Sequence, residues 1–205
     1  MRSFAFITLV ALSSQLAACG DDSSQAGGSG GSSQGGSGQG GSSSNVGGGG
    51  TGGSPASGEP AELQGITALH NAARANVDPP AATAIPPLEW SDEIAAVAQA
   101  YAELCVFEHS GGSYGENLYA NAGQPGTVQD VVDSWVSEVA DYDYASNTCS
   151  GVCGHYTQVV WAGSLRLGCG VASCTTGSPF QGFDEWQHWV CNYDPPGNFV
   201  GERPY

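Results

Sequence analysis

Six of the seven cysteines in this chain are gathered between Cys105 and Cys191, and the seventh, Cys19, stands alone near the start. No other feature of the sequence constrains the fold as strongly. In an exported chain, six clustered cysteines imply three disulfides, and cross-links at that density stiffen a domain whose core is small. Their spacing leaves the pairing open. One stretch also admits a metal reading, because Cys149, Cys153 and His155 stand close together. No second matched pair follows them, so the thiols are expected as disulfides.

Export is written into the first residues. Met1-Arg2 is a short basic start, and Phe4 to Leu12 is an apolar run too short to span a bilayer. Leu16-Ala17-Ala18-Cys19 then supplies small residues ending in cysteine. Residues 1–18 read as a secretory signal peptide. The LAAC ending resembles the lipobox of bacterial lipoproteins, which implies cleavage before Cys19 and lipidation of that residue. Several acyl chains anchor far more firmly than one. Gly20 after it resembles lipoproteins sent to an outer membrane, where the cell has one. The expected location is therefore a bacterial membrane, with the domain extracytoplasmic. Residues 19–60 comprise the lipidated cysteine and a glycine/serine-rich tether, which reaches roughly 35 Å if it behaves as a Gly-rich coil. Within it Gly27 to Gly31 matches the G-x-S-x-G elbow of serine hydrolases. With no strand before it and no helix after it, the match is compositional.

The formal net charge is −16, from 20 acidic residues against four arginines and no lysine. Such a surface excludes nucleic acid and anionic membrane as electrostatic partners, whereas metal ions and cationic ligands are admissible.

The folded domain is expected over 61–205. Leu63 to Val77 spaces Ile66, Leu69, Ala73 and Val77 as an amphipathic helix, with His70 inside it as a packing or surface residue. Asp78-Pro79-Pro80 ends that helix. Pro86 to Trp90 is an extended connector. Ser91 caps a second helix, Asp92 to Val106, with Ile94, Val97, Ala98, Tyr101 and Leu104 inward. A third helix, Val128 to Val139, carries an apolar stripe of Val128, Val131, Val132, Trp135 and Val139. Three strands follow: His155 to Trp161, Leu167 to Cys174, and Trp186 to Tyr193. In the first, His155, Thr157, Val159 and Trp161 alternate with Tyr156, Gln158 and Val160. Helices first and strands later predict an α+β domain. The link Thr175 to Gln187 carries Phe180, Phe183 and Trp186, which either fold onto the domain or offer a ligand an apolar contact.

Four motifs carry the candidate chemistry: HSGGSYGENL from His109, WVSEVADYDY from Trp135, CSGVCGHYTQVVW from Cys149 and CNYDPPGN from Cys191. In this order they resemble the signatures of the CAP superfamily, which unites cysteine-rich secretory proteins, antigen 5 and pathogenesis-related protein 1. The plant pathogenesis-related protein 1 branch looks nearest, and the resemblance runs from Leu63 to Tyr205. It implies a three-layer α-β-α sandwich around a largely antiparallel sheet, with Cys105–Cys174, Cys149–Cys153 and Cys169–Cys191 paired. It also implies a cavity tetrad: His109 after the second helix, Glu116 in the Gly115-Glu116-Asn117 loop, Glu138 on the third helix and His155 opening the first strand. Two neutral imidazoles suit zinc or another divalent metal, and carboxylates ligate or hold a bound water. Without metal, the same groups form a hydrogen-bonded network that stitches helices to sheet. Trp135 shares a helix face with Glu138 and anchors beneath it. Asn117, Tyr156 and Gln158 are expected to be structural.

Three functions remain open on this reading. The first is a non-enzymatic, membrane-anchored binder of a small apolar ligand, such as a sterol or fatty acid, or of a divalent metal; the lipid part rests on the family alone. The second is a histidine- or metal-dependent hydrolase, with Ser110 or Thr157 as nucleophile beside His109 or His155. No oxyanion hole is recognisable for it. The third is a secreted defence or signalling protein whose C-terminal peptide is released, as the tail CNYDPPGNFVGERPY matches the plant pattern. A lipobox argues against that plant-type role.

Overall fold

The computed structural model describes residues 58–205; the expected signal peptide, Cys19 and the tether up to Ser57 lie outside the described residues. A 3-10 turn, Ala61–Leu63, precedes helix α1, Ile66–Ala75. The buried Glu59 carboxylate accepts from the Gly65 and Thr67 N–H groups at 2.8 and 2.9 Å. An acid there satisfies donors that a helix start leaves orphaned and suits its dipole. Strand β1, Glu89–Trp90, is only two residues long because Ser91 turns the chain into α2, Asp92–Ala102. The Ser91 hydroxyl accepts from the Ile94 N–H at 3.4 Å. Strand β2 spans Gly115–Ala122. Helix α3, Val128–Ser137, starts from a reciprocal capping box of Thr127 and Asp130. A 3-10 turn, Glu138–Asp141, leads to the small hairpin of β3, Tyr142–Asp143, and β4, Thr148–Cys149. Helix α4, Gly154–Val159, and the long strands β5, Arg166–Cys174, and β6, Trp186–Asp194, complete the domain.

The main sheet runs in the order β1-β5-β6-β2, and only the β1–β5 pairing is parallel. Helix α2 packs on one face, over a small core of Ala98, Ala102, Leu118 and Val190. The larger core, which includes Ile66, Val131, Trp135, Val159, Leu167 and Trp189, lies between the other face and α1, α3 and α4. The result is an α+β, three-layer α-β-α sandwich. Two glycines set how closely α2 approaches: a Cβ at Gly168 would stand 2.1 Å from the Ala95 nitrogen, and one at Gly170 2.3 Å from the Gln99 Cα. Cys105–Cys174 ties the segment after α2 to the end of β5, Cys149–Cys153 closes the turn into α4, and Cys169–Cys191 bonds β5 to β6.

A buried cation joins α1 to the segments around α4. Arg74, 2% exposed, donates from its guanidinium to the carbonyls of Pro86, Val159, Trp161 and Ser164 at 2.7 to 3.0 Å.

Several expected elements differ from those observed. His155–Trp161 is not a strand: Gly154–Val159 is helical and Val160 caps it. Residues 156 to 161 are all buried, so both faces of the alternation look apolar or satisfied, and a period of two carries no information there. The Thr157 hydroxyl, bonded back to the Cys153 carbonyl at 3.1 Å, fits the helical path. Gly115-Glu116-Asn117 is the start of edge strand β2 rather than a loop, paired along its length with β6. Helix α2 stops at Ala102, four residues short of Val106, which leaves Leu104 63% exposed; within the helix, Val97 is 46% exposed instead of inward. Val139 lies beyond α3 and is also exposed, and Glu138 ends α3 rather than sitting within it. Trp186 opens β6 and is buried against Phe107, whereas Phe183 stays exposed.

Candidate functional site

The end of α3 and the start of α4 are held together by one carboxylate. Glu138 Oε2 accepts from the backbone N–H groups of His155 and Tyr156 at 2.9 and 3.2 Å, and Oε1 meets His155 Nδ1 at 2.6 Å. A carboxylate only accepts here, so Nδ1 carries the hydrogen, and in the neutral ring Nε2 is the acceptor nitrogen. The Trp135 ring lies nearly parallel to the imidazole, with centroids 6.3 Å apart and planes inclined by 16°. Its own N–H donates to the Leu118 carbonyl at 3.1 Å, which fixes the indole beneath the site.

A second pair repeats the arrangement on β2. His109 Nδ1 meets Glu116 Oε1 at 2.9 Å, and the Ser110 N–H donates to the same oxygen at 2.9 Å. The Glu116 side chain is 7% exposed while that of His109 is 62% exposed, so the imidazole faces solvent from a buried base. Burial pushes the Glu116 carboxyl up, but hydrogen bonds from His109 and Ser110 outweigh it and hold the group below the usual carboxylate range. Its other oxygen, Oε2, is buried and has no hydrogen-bond partner among the described residues.

The next residue on β2 reaches the other pair. Asn117 Nδ2 donates to the His155 carbonyl and to the Tyr193 hydroxyl, both at 3.1 Å. Tyr193 in turn meets His70 Nε2 at 2.8 Å, and His70 Nδ1 donates to the Ile66 carbonyl at 2.8 Å. The tetrad is thus two carboxylate–imidazole pairs, both secured from the beginning of β2. Among the described residues, no three His, Cys, Asp or Glu side chains group closely enough to hold a metal ion by themselves. By donor type alone, two imidazoles with their Nδ1 atoms engaged would offer an ion two Nε2 donors, with water completing the shell. The unpartnered Glu116 Oε2 could accept from such a water.

Neither candidate nucleophile bonds to a histidine. The Ser110 hydroxyl accepts from the Gly112 N–H, and the Thr157 hydroxyl is engaged by Cys153, Gly154 and Asn198. Gln158 joins Ser164 to Gly197, and Tyr156 fills the core. His70 and Tyr193, which the sequence did not assign to any site, stand behind the pairs through Asn117, and Arg74, also unassigned, bonds to main-chain carbonyls instead. Tyr193 could have been found from its position in CNYDPPGN, two residues past a cysteine on an alternating strand; Arg74 offered no such signal.

A disulfide-stapled α-β-α sandwich carrying two carboxylate-locked imidazoles defines a narrow class of domain. Residues 67–193 match the family described as CAP, the cysteine-rich secretory protein family, and this chain belongs to it. It is 46% identical over 146 residues to pathogenesis-related protein 1 of Arabidopsis thaliana, covering 69% of this chain and 81% of the relative. Pathogenesis-related leaf protein 4 of Solanum lycopersicum is 47% identical over 148 residues, covering 69% and 82%. Among solved structures, Schistosoma mansoni venom allergen-like protein 4 aligns with a TM-score of 0.55 at 26% identity, over 68% of this chain and 90% of that one. A structure of NaASP2 with Zn2+ aligns with a TM-score of 0.58 at 25% identity, over 75% and 90%. The chain is a pathogenesis-related protein 1-like CAP protein. Its disulfides and its pathogenesis-related protein 1 relatives mark it as an extracellular protein, outside a reducing cytoplasm.

Proposed function

We propose that this domain is a non-enzymatic binder of a divalent metal ion such as zinc, held by His109 and His155, and displayed on a bacterial membrane through lipidated Cys19. The observation that carries the metal reading is the pair of Nδ1–carboxylate bonds, which fix both imidazoles with Nε2 free to ligate. A zinc-containing relative of the same fold supports it. Glu116 and Glu138 act from behind the imidazoles, orienting them. Calorimetric titration of metal-free protein with zinc at about pH 7.5 should show a site, and acidification should weaken it because protons compete for the same nitrogens. His109→Ala and His155→Ala should each abolish most of the heat. Glu116→Gln and Glu138→Gln should weaken binding roughly 10- to 100-fold. A flat trace from the metal-free wild type would remove the metal from this reading.

The anchor has its own test. Cys19→Ser should move the protein from the membrane to the soluble fraction with its thermal unfolding unchanged. Equal membrane retention of that variant would eliminate the lipid anchor. A second reading, a sterol or fatty acid, is favoured by Phe199 and Val200, which are exposed beside α4 in a loop that Asn198 fastens to Gly154 and Thr157. Solvent extraction of natively purified protein followed by mass spectrometry tests it. The names of the plant relatives point to pathogenesis, and a defence role by release of the C-terminal peptide would have to free a pinned tail. Arg203 donates to the Tyr144 and Ala145 carbonyls, the Pro204 carbonyl accepts from the Ala162 N–H, and the Tyr144 hydroxyl donates to the Tyr205 carbonyl.

A further inference from the structure

Strand β5 has nine residues, but β1 pairs with only its first two, Arg166 and Leu167. At Ser91 the chain leaves the sheet for α2, and no strand continues along the outer edge of β5 among the described residues. On that side the Leu165 and Leu167 carbonyls accept from Glu89 and Ser91. By strand alternation, the main-chain groups of Cys169, Val171 and Ser173 point the same way. At Val171 both are met by one side chain: Gln99 Oε1 accepts from the Val171 N–H at 2.9 Å, and Gln99 Nε2 donates to the Val171 carbonyl at 3.1 Å. A carboxamide bonded in this way stands where the peptide group of an adjacent strand would stand. Beside it runs a groove of about 810 Å³ whose walls include Leu63, Trp90, Ala95, Ala96 and Trp189. The short side chains of Ala95 and Ala96 keep it wide. Glu62 and Asp92 also line it, and no lysine or arginine does.

We propose that this groove takes an extended peptide bearing basic side chains, which adds to the outer edge of β5 as a further strand and displaces the Gln99 carboxamide from Val171. Main-chain bonds would supply the affinity, and alternate side chains seated between the walls the selectivity. Charge selects the occupant: two carboxylates in the groove and a net charge of −16 draw in lysine- or arginine-bearing segments and repel acidic ones. A fatty acyl chain fits less well, since it would set the outward amides of Cys169 and Ser173 against hydrocarbon. Gln99 is then a removable cover, which keeps a free edge from pairing with unintended strands.

The test uses the full chain carrying Cys19→Ser, titrated with a short peptide of alternating valine and lysine. Its valine–glutamate counterpart and oleate serve as comparisons, and the readout is amide hydrogen exchange. The lysine peptide should slow exchange at Cys169 and Ser173 about tenfold or more, as expected for newly protected amides. Its affinity should fall as salt is added. Gln99→Ala should bind the same peptide about tenfold more tightly, because no pair of side-chain hydrogen bonds has to be given up first. Unchanged exchange with the lysine peptide would overturn the proposal, as would an equal response to the glutamate peptide or a response to oleate alone. Protection at Cys169 and Ser173 before any peptide is added would also overturn it, since the edge would then already be covered. If Gln99→Ala self-associates without gaining affinity, the carboxamide is a protective cover and nothing more.

Discussion

Replacing Arg74 with methionine should cost the domain on the order of 4 kcal/mol, enough to leave little of an ordinary folding free energy. Four carbonyls from three separate segments converge on this one guanidinium: Pro86, Val159, Trp161 and Ser164. Burial lowers the Arg74 pKa to about 10, so the group remains a cation at neutral pH. Methionine fills much of the volume but donates nothing, and each abandoned buried acceptor costs about 1–3 kcal/mol unless water reaches it. The four losses will not add fully, because the loops around Ser164 can relax. Arg74→Lys should fall between the two, since an ammonium has three donors and lacks the planar fork that spans these carbonyls. Urea unfolding at unchanged m-value measures it. A loss below about 1 kcal/mol for the methionine variant would mean that water replaces the guanidinium and that Arg74 is not a stability element.

The parts of the fold that could be read from sequence are those whose signals are local. Ser91 and Thr127 announce α2 and α3 because a capping side chain bonds within three residues of itself. Strands β5 and β6 are long and apolar enough that their observed ends differ from the expected ones by a single residue. Helix α4 defeated the same reasoning, because a fully buried segment shows no polar face from which to read a period. Strand β2 was hidden by Gly115, Glu116 and Asn117, residues that suit a loop; here the strand lies at a sheet edge and places each of them against a specific partner. The tetrad His109, Glu116, Glu138 and His155 was legible only through four motifs taken together. Its division into His109–Glu116 and His155–Glu138 is visible only in the folded structure. Arg74 and the His70–Tyr193 contact were not legible at all, since their partners lie far along the chain and periodicity cannot report them.

Wild-type stability should drop in mild acid by roughly 3 kcal/mol more than that of His70→Gln. His70 is fully buried, and its pKa is lowered from 6.5 to about 4, chiefly by desolvation; the Ile66 carbonyl and Glu59 partly oppose the fall, and the nearby Arg74 charge adds to it. The neutral ring is what the fold requires, with Nδ1 donating to Ile66 and Nε2 accepting from the Tyr193 hydroxyl. Protonation would put a second donor against Tyr193, whose hydroxyl already accepts from Asn117, and a second cation near Arg74. The unfolded chain binds the proton near pH 6.5 and the folded chain only near pH 4, so the folded state is disfavoured progressively between those values. The contribution is therefore complete above about pH 6.5, shrinks as pH falls, and is gone below about pH 4. Carboxylates titrate in the lower part of this window too, which is why the variant is needed. Glutamine offers a donor and an acceptor but does not titrate, so subtracting its profile isolates His70. Because Asn117 also holds the His155 main chain, loosening Tyr193 should reach the candidate metal site, and zinc affinity should fall earlier in acid for the wild type than imidazole competition alone requires. A stability gap between wild type and His70→Gln that stays constant from about pH 7 to about pH 4 would show that His70 is not held neutral by this network.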